Sequence, residues 1–582
     1  MVYNQFMEGY FASTIGHIRT LLTPTFLRRG WHYTARDAKS DIIAGATVAL
    51  IQIPQSMAFA LIAGLPAVYG LYASLPGCIA SIFGSSRYLS TGPVAIISFL
   101  TFTSLVPLAT PGSETYIHLA GTLALLVGLI YLAMGFFRLG FILQLVPHSV
   151  IAGFSSAAAV VIVISQLPNL LGVTIPSNDL ILQNIIAIVR AVPAISIITL
   201  VIGILTIGAL FFIRRIPKKF PGALVVLALG IYSSYLFHLE IHGVPVVGNI
   251  LPVLPSFFLP TISLYSFFAL IPKAAIIALV GYVGTHATTK SIAKEKGERI
   301  ETNQELVGQG LANIVGALFR AYPLSGSFTR TAINVGAGAR TEMASVYAAF
   351  LTLFAILFLS PLFLFLPKAV LAGIVIVSAI PLIHIDRLKD ILHIDRADGY
   401  VAWITFAMAF ILKPDDAIFI GIVIALMLFI QKTVWGATVS ELVVDNELAI
   451  LRGEIDEVAI ERIPHVMIAR IGMSIYYANV VHITRELHTL IIQSEVRERT
   501  HIHTLVLAMS GVNFIDITGI EELADYFREL DKRGIHIITI YLRSTIRATL
   551  AQVSDFPRFT DVNNIKEMIQ EIQRHHTPSR FI

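Results

Sequence analysis

Thr91-Gly92-Pro93-Val94-Ala95 and Ser325-Gly326-Ser327-Phe328-Thr329-Arg330-Thr331 each set helix-breaking or helix-capping residues in front of a short apolar run. A hydrocarbon core about 30 Å thick takes roughly 20 residues of helix. The runs that follow, 93–108 and 328–337, fall short of that length. In lipid an unsatisfied backbone group is costly, so interrupted helices persist only where protein buries them or where they line a watery cavity. Two of them, about 235 residues apart in the chain, point to a membrane site.

Outward from these two stretches the same ruler gives fourteen segments: 41–62, 67–84, 93–108, 117–138, 148–168, 195–213, 222–239, 268–290, 304–318, 328–337, 342–366, 369–384, 398–412 and 415–432. Segments one and eight begin about 230 residues apart, close to the spacing of the two short runs, which predicts a seven-plus-seven repeat. Because seven is odd, the second copy enters the membrane from the opposite side and the repeat is inverted. The basic clusters Arg214/Arg215/Lys218/Lys219, Lys290/Lys294/Lys296/Arg299 and Arg387/Lys389/Arg396 all follow even-numbered segments. The positive-inside rule then places both termini in the cytoplasm and the chain in the plasma (inner) membrane. Residues 1–40 are mixed in character and read as an uncleaved cytoplasmic segment.

Composition agrees. The 582 residues are 55% hydrophobic and only 13% charged, and the mean hydropathy is +0.77. Such a chain is solvated by lipid over most of its length. The net charge of +4 is spread in clusters between apolar runs and not along a stripe with interleaved aromatics, so a nucleic-acid partner is not expected. The single cysteine, Cys78, excludes an intramolecular disulfide and a cysteine-based metal site. No phosphate-binding loop, HExxH helix or nucleophile elbow stands in a suitable context. No enzyme activity, cofactor or metal is expected. Three regions follow: 1–40, a transmembrane unit 41–434, and a cytoplasmic tail 440–582 in which strand-like and helix-like stretches alternate as in a small α/β module.

The chemistry expected at the two interruptions is anion binding. Facing helix N-termini carry free N–H groups and positive dipole ends, each contributing about 0.3–1 kcal/mol when exposed and up to ~2 when partly buried. Arg330 lies at the start of segment ten, where a guanidinium is costly and hence a functional candidate; the other roles open to it are snorkelling and pairing with a carboxylate. Thr329 offers a hydroxyl, as do Ser325 and Ser327, for which close packing is the ordinary role. Gln55 and Phe59 lie one turn apart on segment one and can face the same cavity. Asp41, Asp415 and Asp416 begin segments and are expected to cap them; Glu305, in the first turn of segment nine, is a proton-carrier candidate, although the helix dipole explains a carboxylate there. His286 is expected to be structural, a proton relay being the alternative.

Pro66-Ala-Val-Tyr-Gly-Leu-Tyr72, Gly84-Ser-Ser-Arg-Tyr-Leu-Ser-Thr-Gly-Pro-Val-Ala95, Asn303-Gln-Glu-Leu306 and Gly308-Gln-Gly-Leu-Ala-Asn313 resemble the sulfate permease (SulP) family of anion transporters, which includes prestin. His503 to Leu523 resembles a STAS domain. The resemblance implies a mobile core of segments 1–4 and 8–11, a gate of segments 5–7 and 12–14, and a homodimer. It places the anion site on Gln55, Phe59, Val94, Ala95, Phe328, Thr329 and Arg330. Proton-coupled relatives carry acids where Gln55 and Gly284 stand here; their absence favours exchange or uncoupled flux over symport, and Gly284 also argues against a sodium site. Asp516-Ile-Thr-Gly519 resembles a loop whose hydroxyl is phosphorylated in bacterial STAS proteins, which makes Thr518 a candidate regulatory position, although helix N-capping is its ordinary expectation. A cytosolic protein partner of the tail, and a non-transporting sensor, are the alternatives that feature raises. A nucleobase permease is disfavoured by Gly284 and Arg330.

Overall fold

The computed structural model describes residues 20–28, 33–141, 147–175, 181–213, 222–248, 254–260, 264–412, 414–436, 439–445, 450–453, 463–553 and 555–575. The basic cluster at 214–219 lies outside the described residues, as does the side chain of Asp415. The chain divides into two compact units, Met1–Ala425 and Leu426–Ile582.

The first unit is helical: α1 Ala35–Ile62, α2 Val68–Ser74, α3 Gly77–Phe83, a two-residue strand β1 Thr91–Gly92, α4 Ala95–Leu105, α5 Glu114–Phe136, α6 His148–Leu171, α7 Ile181–Ala191, α8 Ile197–Ile213 and α9 Gly222–Leu236. It continues with α10 Leu264–Lys296, α11 Thr302–Leu318, β2 Ser325–Gly326, α12 Phe328–Gly336, α13 Met343–Phe358, α14 Lys368–Ala379, α15 Ile385–Ile394, α16 Arg396–Ile411 and the first half of α17 Pro414–Trp435, whose second half belongs to the second unit. Among the described residues six helical stretches are long and apolar enough to cross a membrane, and a seventh is reached if α7 and α8, bent by 119°, count together. Ile197, Leu205, Phe212, Phe350 and Phe358 are each at least 63% exposed, a surface that only lipid or a partner would solvate.

Several boundaries differ from the expectation, each for a local reason. Helix α1 starts six residues early because Thr34 and Asp37 close a capping box. The second segment is two short helices, since Pro76 has no N–H to continue the first. The eleventh ends at Phe358, and Pro361 turns the chain through a 3-10 stretch, Ser360–Phe365. Helices α7 and α15 were not expected: both are short and one-sided, burying Ile181 and Ile188 in one case and Leu388 in the other. Asp41 does not cap its own helix. Fully buried, it accepts from the backbone N–H of Arg340 (2.7 Å) and Thr341 (3.1 Å) and from the Thr341 hydroxyl (2.6 Å), and so pins the entry to α13.

Packing sorts the helices into two groups. In the first, α5 lies along α11 and α10, α13 along α1, and α3 against α11 and α13. In the second, α6 packs on α14 and α16, and α8 on α14. Helix α17 joins that group through the small residues Ala157, Ala409 and Ala417, which let the helices approach closely.

The second unit carries a six-stranded sheet in the order β4-β3-β5-β6-β7-β8, with β3 Val439–Asp445, β4 Ile450–Gly453, β5 Val466–Ile471, β6 Thr504–Ala508, β7 His536–Ile540 and β8 Thr560–Val562. Strands β5 to β8 run parallel, and β3 is antiparallel to β5. Strand alternation divides the core. Met467, Ala469 and Ile471 face α18 Val480–Glu498, α19 Ile517–Lys532 and α20 Ser544–Ala551, while Val466 and Ile468 face α21 Ile565–His575.

Candidate functional site

The two interrupted stretches fold into one structure. Strands β1 and β2 pair antiparallel, Thr91 with Gly326 and Gly92 with Ser325. Helices α4 and α12 leave that ladder directly. At 11 and 9 residues they are about 16 and 14 Å long, roughly half a bilayer.

Polar side chains hold the ladder in place. The Ser327 N–H donates to Ser90 O (2.9 Å), and Ser90 N–H to Thr331 Oγ1 (3.0 Å). Helix α11 contributes Gln309, whose Nε2 donates to Thr91 Oγ1 (2.8 Å), and Asn313, which both donates to Leu324 O and accepts from its N–H. Helix α10 contributes Thr285, whose hydroxyl accepts from Gly326 N–H (3.0 Å), and the Gly281 carbonyl, which accepts from Ser325 Oγ (2.7 Å). Ser325 is therefore structural, and Ser327 is the N-cap of α12, accepting from the Arg330 N–H. Gly77 is needed for closeness: a Cβ there would stand 2.1 Å from Thr91 O.

Arg330 is fully buried. Its Nη1 donates to Pro93 O (2.7 Å), across the ladder at the entry to α4, while Nε and Nη2 have no partner. It forms no ion pair among the described residues and reaches no solvent, so neither snorkelling nor pairing with an acid accounts for it. A buried guanidinium with two unspent donors is an expensive arrangement unless something supplies the acceptors. The cation is tied to the α4 entry, and a Cβ on Gly92 would come within 3.1 Å of Nη2.

The remaining residues of the expected site surround this point unevenly. Phe328 (58% exposed) and Thr329 are open, Val94 and Gln55 half-buried, and Phe59 and Ala95 buried. Helix α1, which carries Gln55 and Phe59, packs on both α4 and α12. Val94 is the N-cap of α4 and supplies no side-chain cap, so the first N–H groups of that helix lack intrahelical acceptors. Gly284, one residue before Thr285 on α10, is exposed, and a Cβ there would meet open space.

Lys273 escaped the sequence reading, and Glu305 was read there only in relation to its own helix. Lys273 of α10 donates from Nζ to Ser104 O (2.9 Å), in the last turn of α4, where a cation offsets the negative dipole end. A lone lysine in an apolar run was signal enough to find it. Glu305 is fully buried and accepts through Oε2 from Ser85 N–H (2.9 Å), Ser85 Oγ (3.0 Å) and Ser86 N–H (3.0 Å). It holds the loop that leads to β1, in addition to standing at its own helix start. In the tail, the cap of α19 is Asp516, which accepts from Gly519 N–H (2.7 Å). Thr518 is exposed in the first turn, so the N-cap expectation for it is corrected.

Comparison with known proteins agrees with this architecture. Residues 39–405 match the sulfate permease family and residues 457–571 the STAS domain. The chain is 32% identical over 546 residues to "Probable sulfate transporter 4.2" of Arabidopsis thaliana, covering 90% of this chain and 78% of that one. It is 29% identical over 548 residues to a chain named probable sulfate transporter in Mycobacterium tuberculosis, covering 92% and 96%. Among solved structures, SLC26A9 superposes with a TM-score of 0.87 at 23% identity over 97% of this chain and 94% of that one. The transmembrane domain of the cyanobacterial bicarbonate transporter BicA superposes with a TM-score of 0.57 at 25% identity over 68% and 98%. The chain belongs to the sulfate permease family of membrane transporters and carries a STAS domain after its helical unit.

Proposed function

We propose that this protein moves a small anion across the plasma membrane by alternating access, with the anion held between the N-termini of α4 and α12 beside Arg330. The observation that carries this reading is the fully buried guanidinium whose Nε and Nη2 have no acceptor, set where two short helices begin. Helix N-termini and a guanidinium supply directed donors and positive potential without a cofactor. Thr329, Gln55 and the edges of Phe59, Phe328, Val94 and Ala95 complete the lining.

In this reading the unit comprises fourteen segments in a seven-plus-seven inverted repeat, α4 and α12 being the half-helices. The α1–α5 and α10–α13 group carries the anion past the group built on α6, α8, α9, α14, α16 and α17; the most extensive helix pairs, α5 with α11, α13 with α1 and α6 with α16, each fall within one group and support that division, while α1 also touches α14 and α9 across it. Both termini are cytoplasmic and the protein works as a homodimer. Sulfate is the first substrate to test because the relatives above bear that name, followed by bicarbonate, chloride and dicarboxylates. With Gln55 and Gly284 in place of acids, no carboxylate is available there to carry a proton, which favours exchange or uncoupled flux. Thr518, exposed beside the α19 cap, is a modification site through which a cytosolic partner of the STAS domain senses or sets transport.

Uptake of labelled sulfate into proteoliposomes, with and without pH gradients, sodium and internal counter-anion, tests this. Saturable uptake that internal anion accelerates and neither protons nor sodium drive is expected. Binding without flux would favour the sensor, and proton-driven uptake would overturn the uncoupled mechanism.

A further inference from the structure

A cavity lies away from the ladder. About 280 Å³ in volume, it is lined by the end of α1 (Leu61, Ile62), by Phe99 and Phe102 of α4, by the last turns of α6, and by residues of the following loop and α7. Its place follows from helix geometry. Leu61 is two residues beyond Phe59 on α1, and Phe99 four beyond Ala95 on α4, so the cavity begins about 3 Å further along α1 and about 6 Å further along α4 than the site proposed above. In the transport reading above it is bounded by both helical groups, with α1 and α4 on one side and α6 on the other.

Among the described residues its polar lining is uncharged: Ser165, Gln166, Asn169, Thr174 and Asn184, with no lysine, arginine or acid. Gln166 is only 3% exposed. Its Nε2 donates to Ser165 Oγ (3.3 Å), and its Oε1 accepts from Asn169 Nδ2 at a long 3.5 Å. A carboxamide nitrogen carries two hydrogens, and each of these two spends one. A buried carboxamide with an unspent N–H, in a cavity in line with an anion site, offers donors without fixed charge. Such a site holds an anion weakly, which is what passage requires: favourable entry and ready exit.

We propose that this cavity is a second anion station, in series with the short-helix site on the membrane face reached by the C-termini of α1 and α6, and that Gln166 and Asn169 are its donors. Its ligand is a small inorganic anion such as sulfate. The station rests on the transport reading above and adds to it a side-specific binding step.

The test is sulfate flux by the full-length protein in right-side-out and inside-out vesicles, with half-saturation measured from each face. Asn169→Asp is nearly isosteric and puts a negative charge in the cavity; half-saturation is expected to rise at least tenfold from the α6 C-terminal face and less than twofold from the other. Gln166→Leu and Asn169→Ser, which remove donors without adding charge, are expected to raise it about threefold from that same face. Should Asn169→Asp fail to fold, the two neutral variants decide alone. Equal changes from both faces, or none from either while the wild type transports, overturn the station and leave the short-helix site standing. Absence of wild-type flux with sulfate, bicarbonate, chloride and dicarboxylates alike overturns both.

Discussion

Helices α4 and α12 start from the same two-stranded ladder, yet their starts are built differently. At α12, Ser327 caps the helix and Arg330 stands in the first turn. At α4, Val94 offers no cap and the first turn carries no charge; its compensation lies at the other end, where Lys273 neutralises the C-terminus. The difference teaches that the two short helices share a backbone device and divide its chemistry. One start is closed and charged, the other open and neutral. The guanidinium spans them, because its one hydrogen bond goes to Pro93 O at the entry to α4.

Removing the charge breaks the comparison most severely. Arg330→Gln is expected to lower sulfate flux about 100-fold, on the scale of ~3 kcal/mol for hydrogen bonds to a buried charged group; Arg330→Lys should recover part of it, since an ammonium keeps the charge but not the planar fork. Flux by the two variants within threefold of wild type would put the site elsewhere.

Gly284→Glu tests whether an acid beside β2 changes the mechanism. The new carboxylate would enter open space next to Thr285, which bonds the ladder. It is anionic above its pKa, about 4.3 in an unperturbed glutamate, and repels the substrate. Flux is expected to drop about tenfold at neutral pH and to recover as pH falls and the group takes up its proton, while the wild type stays level over the same range.

Ser327→Ala makes the α12 start resemble that of α4. Loss of an N-cap costs about 1 kcal/mol, so a roughly fivefold weaker apparent affinity and a lower melting temperature are expected. The converse, Val94→Ser, gives α4 the cap it lacks. It should raise the melting temperature slightly and change flux less than twofold; a large loss would mean that the uncapped N–H groups are themselves the ligands of the anion.

Much of this was readable from the chain. Short apolar runs behind Thr91-Gly92-Pro93 and Ser325-Gly326-Ser327 announce helices too short to span, because length and breakers are local properties. Apolar length gave α1, α5, α6, α10 and α17, and alternation gave the central strands of the tail. What stayed hidden depends on partners far along the chain. Asp41 reads as a cap for its own helix until Arg340 and Thr341, some 300 residues on, are seen to claim it. Glu305 and Ser85 are 220 residues apart. Helices α7 and α15 are short and amphipathic, so an apolar ruler passes over them. That Arg330 has neither solvent nor an acid is likewise a property of the packed core, and no spacing in the sequence states it.

An anion is expected to complete the hydrogen bonding of Arg330. Thermal unfolding of the purified protein in rising sulfate, with chloride varied at matched ionic strength, tests it directly, because a ligand bound to the folded state raises stability by RT ln(1 + [L]/Kd). The wild type is expected to gain stability that saturates with sulfate, and Arg330→Gln to start from its own baseline and gain none. Equal saturating gains in the two proteins would contradict the account.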